Sequence, residues 1–217
     1  MIQINHKYHP DLILKSNPYK SEGKKLIAIG ASTGGVDAIA KILQVLPKNL
    51  PPIIITQHIP EGFSTSFANR LNRISSIEVF EVNEKMHLHN SCAYLAPGGK
   101  HLLLDKNCND YYAKSVDGER ISRHKPSVDV MFRSVNNVVG KNALAIIMTG
   151  MGDDGSIGIK ELYDNGAYTI AQDENSCVVF GMPKQAIARG AVCEIVGLDE
   201  IPNKIIQFSS GNLKRGH

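Results

Sequence analysis

The sequence is poor in the features that would place it outside the cell or in a membrane. It has four cysteines in 217 residues, Cys92, Cys108, Cys177 and Cys193, and none forms a C-x-x-C pair. That excludes a zinc ribbon and a thioredoxin-type redox motif. A chain this long buries a core without staples, so the cysteines read as reduced thiols. No apolar run approaches the ~18 residues of a membrane span. No secretory hydrophobic region follows Met1, where the text runs MIQINHKYHPDL. Neither sign of charge dominates: 24 basic and 21 acidic residues leave a net charge of +3. There is no dense basic run interleaved with aromatics, which argues against nucleic acid as a partner. Internal repeats and low-complexity segments are absent. The expectation is a cytoplasmic protein with no membrane insertion.

What is present is an alternation of short apolar runs and amphipathic stretches. Residues 1–24 are polar, carry Pro10 and Pro18, and read as a leader, extended or loosely packed. KLIAIG (25–30) reads as a buried strand closed by glycine, and VDAIAKILQVL (36–46) as a helix. PIIITQHIP (52–60) is a second β-branched run, followed by a helix through Phe67 and Leu71. Strands are expected at 78–81 and 93–96, a hairpin over 100–114, a helix over 127–139, and a strong buried strand at ALAIIM (143–148). A helix from about 156, a strand near 168–171, a helix after Pro183 and a strand near 192–195 complete the pattern, with a frayed tail over 209–217. Buried strands alternating with helices define an α/β fold, doubly wound and Rossmann-like. Its three layers are a mostly parallel sheet and helices on both faces, with a small antiparallel hairpin added.

Chemistry collects where the strong strands end. Gly30-Ala31-Ser32-Thr33-Gly34-Gly35 follows the first, Gln57-His58 the second, and Thr149-Gly150-Met151-Gly152-Asp153-Asp154-Gly155 the strand at 143–148. In an open parallel sheet, ligands bind outside the carboxyl ends of the strands. Ser32 and His58 are one βαβ unit apart, and neighbouring strands would bring them within about 5 Å in the pairing direction. A serine hydroxyl needs a base to become a nucleophile, an imidazole is that base near neutral pH, and a carboxylate orients the imidazole. Gly30-x-Ser32-x-Gly34 matches the strained turn that exposes a nucleophilic serine. The Thr33 N–H is a natural oxyanion donor, with the glycine-rich loop at 150–152 opposite. The only histidine after Asp154 is His217, so the order is Ser32, His58, Asp154, unlike the common α/β-hydrolase order of nucleophile, acid, histidine.

Other readings of the same residues exist. GASTGG can be a tight turn, His58 a core histidine, and Asp153 or Asp154 the N-cap of the next helix. Gly150-x-Gly152-x-x-Gly155, with Asp173 about twenty residues on, matches the dinucleotide fingerprint on paper, although Asp153 and Asp154 would then face an anionic pyrophosphate. His87-x-His89 lacks a carboxylate-rich partner motif and reads as a solvent-facing strand rather than a metal pair. His124 is a rival base or a groove-shaping residue. A non-catalytic binding module on an enzyme fold is the alternative from another class.

At these residues the chain resembles the catalytic domain of the chemotaxis protein-glutamate methylesterases, the CheB family. The matching stretches are IGASTGGVDAI (29–39), QHIPEGFSTSFANRL (57–71), YLAPGGKHLLL (94–104), RHKPSVDVMFRSV (123–135), IIMTGMGDDGSIGIKEL (146–162) and AQDENSCVVFGMPKQAI (171–187). The resemblance implies removal of methyl esters from glutamyl side chains of chemoreceptor signalling helices, and deamidation of some receptor glutamines. The partner it implies is the cytoplasmic domain of a methyl-accepting chemoreceptor. It places the nucleophile on Ser32, the histidine on His58, the aspartate on Asp154 and an oxyanion-hole amide on Met151, with Thr33 beside the nucleophile. It implies neither metal nor organic cofactor. The family's usual form begins with a receiver domain, which needs on the order of 100 residues. The 24 residues before Lys25 are too few, so no phosphorylation switch is expected within this chain.

Overall fold

The computed structural model of the protein describes residues 7–20, 23–108, 110–213 and 215. In chain order, β1 (Leu26–Ala31), α1 (Gly35–Val45), β2 (Ile53–Gln57), α2 (Ser64–Ile74) and β3 (Glu78–Glu81) come first. The short β4 (Met86–His87), then β5 (Cys92–Leu95), β6 (His101–Asn107) and β7 (Asp110–Val116) follow. The remainder is α3 (Val128–Val138), β8 (Ala143–Ile147), α4 (Ser156–Asp164), β9 (Tyr168–Gln172), α5 (Met182–Ala188), β10 (Glu194–Val196) and α6 (Ile201–Ser210).

Seven strands form one parallel sheet in the order β10-β9-β8-β1-β2-β5-β3. Its central strands, LIAIGA, IIITQ and ALAII, are buried at every position, as the continuous apolar runs require when helices cover both faces. The period of two then sorts their side chains. Ile27, Ile29, Ile53, Ile55, Leu144 and Ile146 pack against α1, α2 and α6. Leu26, Ala28, Ile54, Ala143, Ala145 and Ile147 pack against α3, α4 and α5. The hairpin β6–β7 joins β4 in a three-stranded antiparallel sheet beside α3.

α3 is the most enclosed helix, buried at nine of its eleven residues, because it lies between the parallel sheet, β6 and α4. Its Arg133 is buried and satisfied by Glu161 of α4, Asp11, and the Leu14 carbonyl at 3.1 Å. The described residues of the opening segment contain a 3-10 turn at Pro10–Leu12, and hydrogen bonds tie them along α3. Tyr19 N–H donates to Asn136 O (3.0 Å) and Asn17 N–H to Asn137 Oδ1 (2.7 Å). Tyr8 forms a bridge with Ile121. Residues 1–6 and 21–22 of that segment, and 214 and 216–217 of the expected tail, lie outside the described residues.

The sequence reading did not anticipate α6, whose Ile201, Ile205 and Phe208 are buried at helical spacing and whose last turn runs into the stretch expected to fray. The four cysteines form no disulfide. Among the described residues no helix is long and apolar enough to cross a membrane.

Candidate active site

The winding of the sheet reverses between β1 and β8, the two strands whose carboxyl ends carry Ser32 and the loop 149–155. Ala31 is in register with Gln57 of β2, so residues 32 and 58 leave the sheet side by side. On the other flank Gly30 pairs with Ile147, and Ser32 N–H continues the ladder to Thr149 O at 2.9 Å. Ser32, His58 and Asp154 therefore converge at the topological switch point.

The turn after β1 is held at both ends. Gly34, at φ +81°, caps α1 in the left-handed region. The Ser32 carbonyl accepts from Gly35 N–H (2.8 Å) and from Gln57 Nε2 (2.8 Å), and the same Gln57 amide donates to the His58 carbonyl (3.0 Å). Gln57 thus ties the serine turn to the histidine backbone, a role its place in an apolar strand did not announce. Across the turn, a Cβ at Gly150 would lie 2.8 Å from Ser32 Cβ and against the Met182 sulfur. Gly150→Ala is therefore expected to displace Ser32, with a loss of about 10²-fold in turnover for a ~1 Å shift. Turnover in a variant of wild-type thermal stability checks this.

His58 has a side chain 9% exposed, with Nε2 2.7 Å from Asp154 Oδ2. Its Nδ1 is buried and has no hydrogen-bond partner among the described residues. The usual triad joins the carboxylate to Nδ1 and leaves Nε2 as the base. Here the carboxylate contact falls on Nε2 instead. Asp154 accepts the Nε2 proton, which leaves the lone pair on Nδ1.

Asp154 is fully buried. Its Oδ1 accepts from Ser127 Oγ (2.8 Å) and Asp129 N–H (3.1 Å), and its Oδ2 from Val128 N–H (2.7 Å) besides His58. It therefore sits on the N-terminus of α3, where the helix dipole favours an anion. Burial raises its carboxyl pKa, but the His58 hydrogen bond and charge, then the N–H groups of Val128 and Asp129, outweigh this and hold it below the ordinary carboxylate value.

Asp129 mirrors this arrangement. Its Oδ1 accepts from Ile157 and Gly158 N–H (2.9 Å each) at the start of α4, and its Oδ2 from Ser122 Oγ (3.0 Å). Neither Asp153 nor Asp154 caps α4 with its side chain, as the sequence had allowed. The N-cap is Gly155, the capping carboxylate is Asp129, and Asp153 pairs with Lys7. Burial first, and the Asp154 charge second, push Asp129 up to about 8. A carboxyl raised in the folded state stabilises it below the unfolded value near 4, and that contribution is lost as pH rises through about 8. Wild-type stability is expected to fall between pH 5.5 and 8.5, with a smaller slope in Asp129→Asn, as chemical denaturation at several pH values would show.

Thr33 and Met151 directly follow Ser32 and Gly150, which face each other across the turn. Thr33 is exposed, and its carbonyl accepts from Thr149 Oγ1 at 2.9 Å. Met151 is 72% exposed in the turn between Gly150 and Gly152. His124 stacks face to face on His58, with ring centroids 3.7 Å apart and planes within 9°. Both rings line a 430 Å³ cleft with Ile59, Pro60, Glu61 and Arg120. The Gly150–Gly155 motif does join a strand to a helix, but the α4 N–H groups of Ile157 and Gly158 already belong to Asp129, which closes the position a pyrophosphate would take. His87 and His89 contact each other at 3.2 Å on the edge of the small sheet, and no metal-binding group of three or more such side chains occurs among the described residues.

Ser32 and a carboxylate-held imidazole thus leave neighbouring strands at the switch point of a doubly wound parallel sheet, an α/β domain with a candidate site at its carboxyl edge. The model of the CheB methylesterase family matches residues 27–205. The chain belongs to that family. It is 51% identical over 194 residues to protein-glutamate methylesterase/protein-glutamine glutaminase 1 of Geobacter metallireducens, covering 88% of this chain and 53% of that protein. It is 48% identical over 207 residues to the protein of that function in Pectobacterium atrosepticum, covering 95% of this chain and 59% of the relative. The chain thus spans little more than half the length of these curated relatives. The crystal structure of the Thermotoga maritima CheB methylesterase catalytic domain superposes with a TM-score of 0.83 at 35% identity, covering 85% of this chain and 98% of that one.

Proposed function

We propose that this chain hydrolyses glutamyl methyl esters on the cytoplasmic signalling helices of a chemoreceptor and deamidates glutamines there, as a cytoplasmic enzyme. The observation that carries the reading is the His58 ring, held on buried Asp154 through Nε2, at the end of the strand paired with the one that ends at Ser32. The names of the relatives supply the substrate class.

In this reading Ser32 Oγ attacks the ester carbonyl as its proton passes to His58 Nδ1. The oxyanion takes hydrogen bonds from the backbone N–H groups of Thr33 and Met151, each worth about 3–4 kcal/mol in the transition state. The imidazolium, stabilised by buried Asp154, returns its proton to the departing methoxide, or to the amide nitrogen, which leaves as ammonia, when the substrate is glutamine. Water then gives up a proton to Nδ1 and attacks the acyl-enzyme, which releases glutamate and regenerates Ser32.

A fluorophosphonate probe tests the nucleophile, because only an activated hydroxyl reacts. Mass spectrometry is expected to place the adduct on Ser32, with no adduct in Ser32→Ala and much slower labelling in Asp154→Asn. An adduct on another serine, with Ser32 unmodified, would contradict the assignment.

A further inference from the structure

We propose that His124 is a positioning residue for the catalytic base: its stack on His58 fixes the plane of that ring, so that Nε2 stays on Asp154 and Nδ1 is left to act as the base. The inference rests on reading His58 as the base. One hydrogen bond at Nε2 restrains a single edge of the ring, and an imidazole so held can still rock about it. The 3.7 Å, 9° stack covers a whole face and removes that freedom.

The loop that carries His124 is built to hold it there. Ser122 (φ 49°) and Arg123 (φ 73°) are consecutive non-glycine residues in the left-handed region, a conformation that persists only where its surroundings impose it. Those surroundings are explicit. Ile121 and His124 exchange backbone hydrogen bonds (3.1 and 2.8 Å), Ser122 N–H donates to Tyr8 O (3.1 Å), and Ser122 Oγ donates to Asp129 Oδ2 (3.0 Å). The same Asp129 caps α4 and gives its backbone N–H to Asp154, so the loop bearing His124 and the carboxylate that holds His58 share one anchor.

The stack also suits a base that becomes cationic during turnover. Two imidazolium rings face to face would repel, so the supporting ring must stay neutral. Burial first, then His58, push His124 down to about 4. Arg120 and Arg123 on its own loop act in the same direction, and Asp154, from the loop after β8, acts against it. Lys125 is engaged by Asp117, and Glu61 of the loop after β2 lines the same cleft. A neutral aromatic face at this distance is a favourable neighbour for an imidazolium.

The test compares His124→Ala with His124→Phe in the full chain. Loss of the stack is expected to lower kcat by about 10²-fold with little change in KM, the cost of a misplaced group. Phenylalanine, planar and uncharged, should recover most of kcat and leave the acid limb of the pH profile where it is. A rise in KM with kcat unchanged would make His124 a substrate contact instead, and equal kcat in all three proteins would also overturn the proposal. Imidazole nitrogen NMR in a Ser32→Ala background reads the same point without catalysis. The His58 Nε2–H tautomer should dominate with histidine or phenylalanine at 124 and give way to a mixture with alanine. If no ester is hydrolysed by the wild type, the proposed function fails, and an unchanged His58 spectrum in the alanine variant would overturn the stack's role separately.

Discussion

Ser32→Ala should lower methyl-ester hydrolysis by about six orders of magnitude, the loss seen when the nucleophile of a triad is removed. The fold should barely respond. Ser32 is held through its backbone, with its N–H on Thr149 and its carbonyl on Gly35 and Gln57, and none of those bonds uses the hydroxyl. Alanine retains the Cβ that packs on Gly150, so the turn keeps its shape. Turnover and thermal denaturation on the same preparation check this, and a large loss of both together would mean that the hydroxyl has a structural role.

Asp154→Asn carries the second large effect and, unlike the first, should cost stability. Turnover should fall about 10⁴-fold, because an amide does not hold the imidazole in the productive tautomer. Each carboxylate oxygen of Asp154 accepts two hydrogen bonds, so an amide nitrogen at either position confronts two donors. Leaving buried donors unmet at a helix N-terminus costs about 2–4 kcal/mol, or a Tm lower by roughly 5–10 °C in a domain of this size. The pH dependence has a definite sign. A carboxyl depressed in the folded state contributes stability above its unfolded value and loses it as pH falls through the depressed one. The two proteins should therefore differ most near neutrality and converge in acid, as denaturation from pH 7 downward would show.

Much of this site could be read before any coordinates, for physical reasons. A central strand of a doubly wound sheet must be apolar on both faces, which makes β1, β2 and β8 conspicuous, and function collects where such strands end. That reasoning reached Ser32, His58 and the aspartate loop. The supporting residues were hidden because their chemistry looks ordinary in one dimension. The helical pattern over 127–139 does not single out Asp129 and Arg133, yet α3 is enclosed on nearly every side and both are buried. Nothing in the apolar run 52–60 singles out Gln57, whose amide bridges the serine and histidine backbones. His124 was visible as a rival base, but only the winding of the chain places it on the face of His58. α6 went unread because it is short and opens on Pro202, although Ile201, Ile205 and Phe208 keep helical spacing.

The most direct measurement is methanol release from a methylated chemoreceptor cytoplasmic fragment incubated with the purified chain, beside Ser32→Ala. The account predicts steady release by the wild type and none above background by the variant. Release that survives Ser32→Ala would contradict the catalytic assignment, and no release by well-folded wild-type protein would contradict the proposed activity.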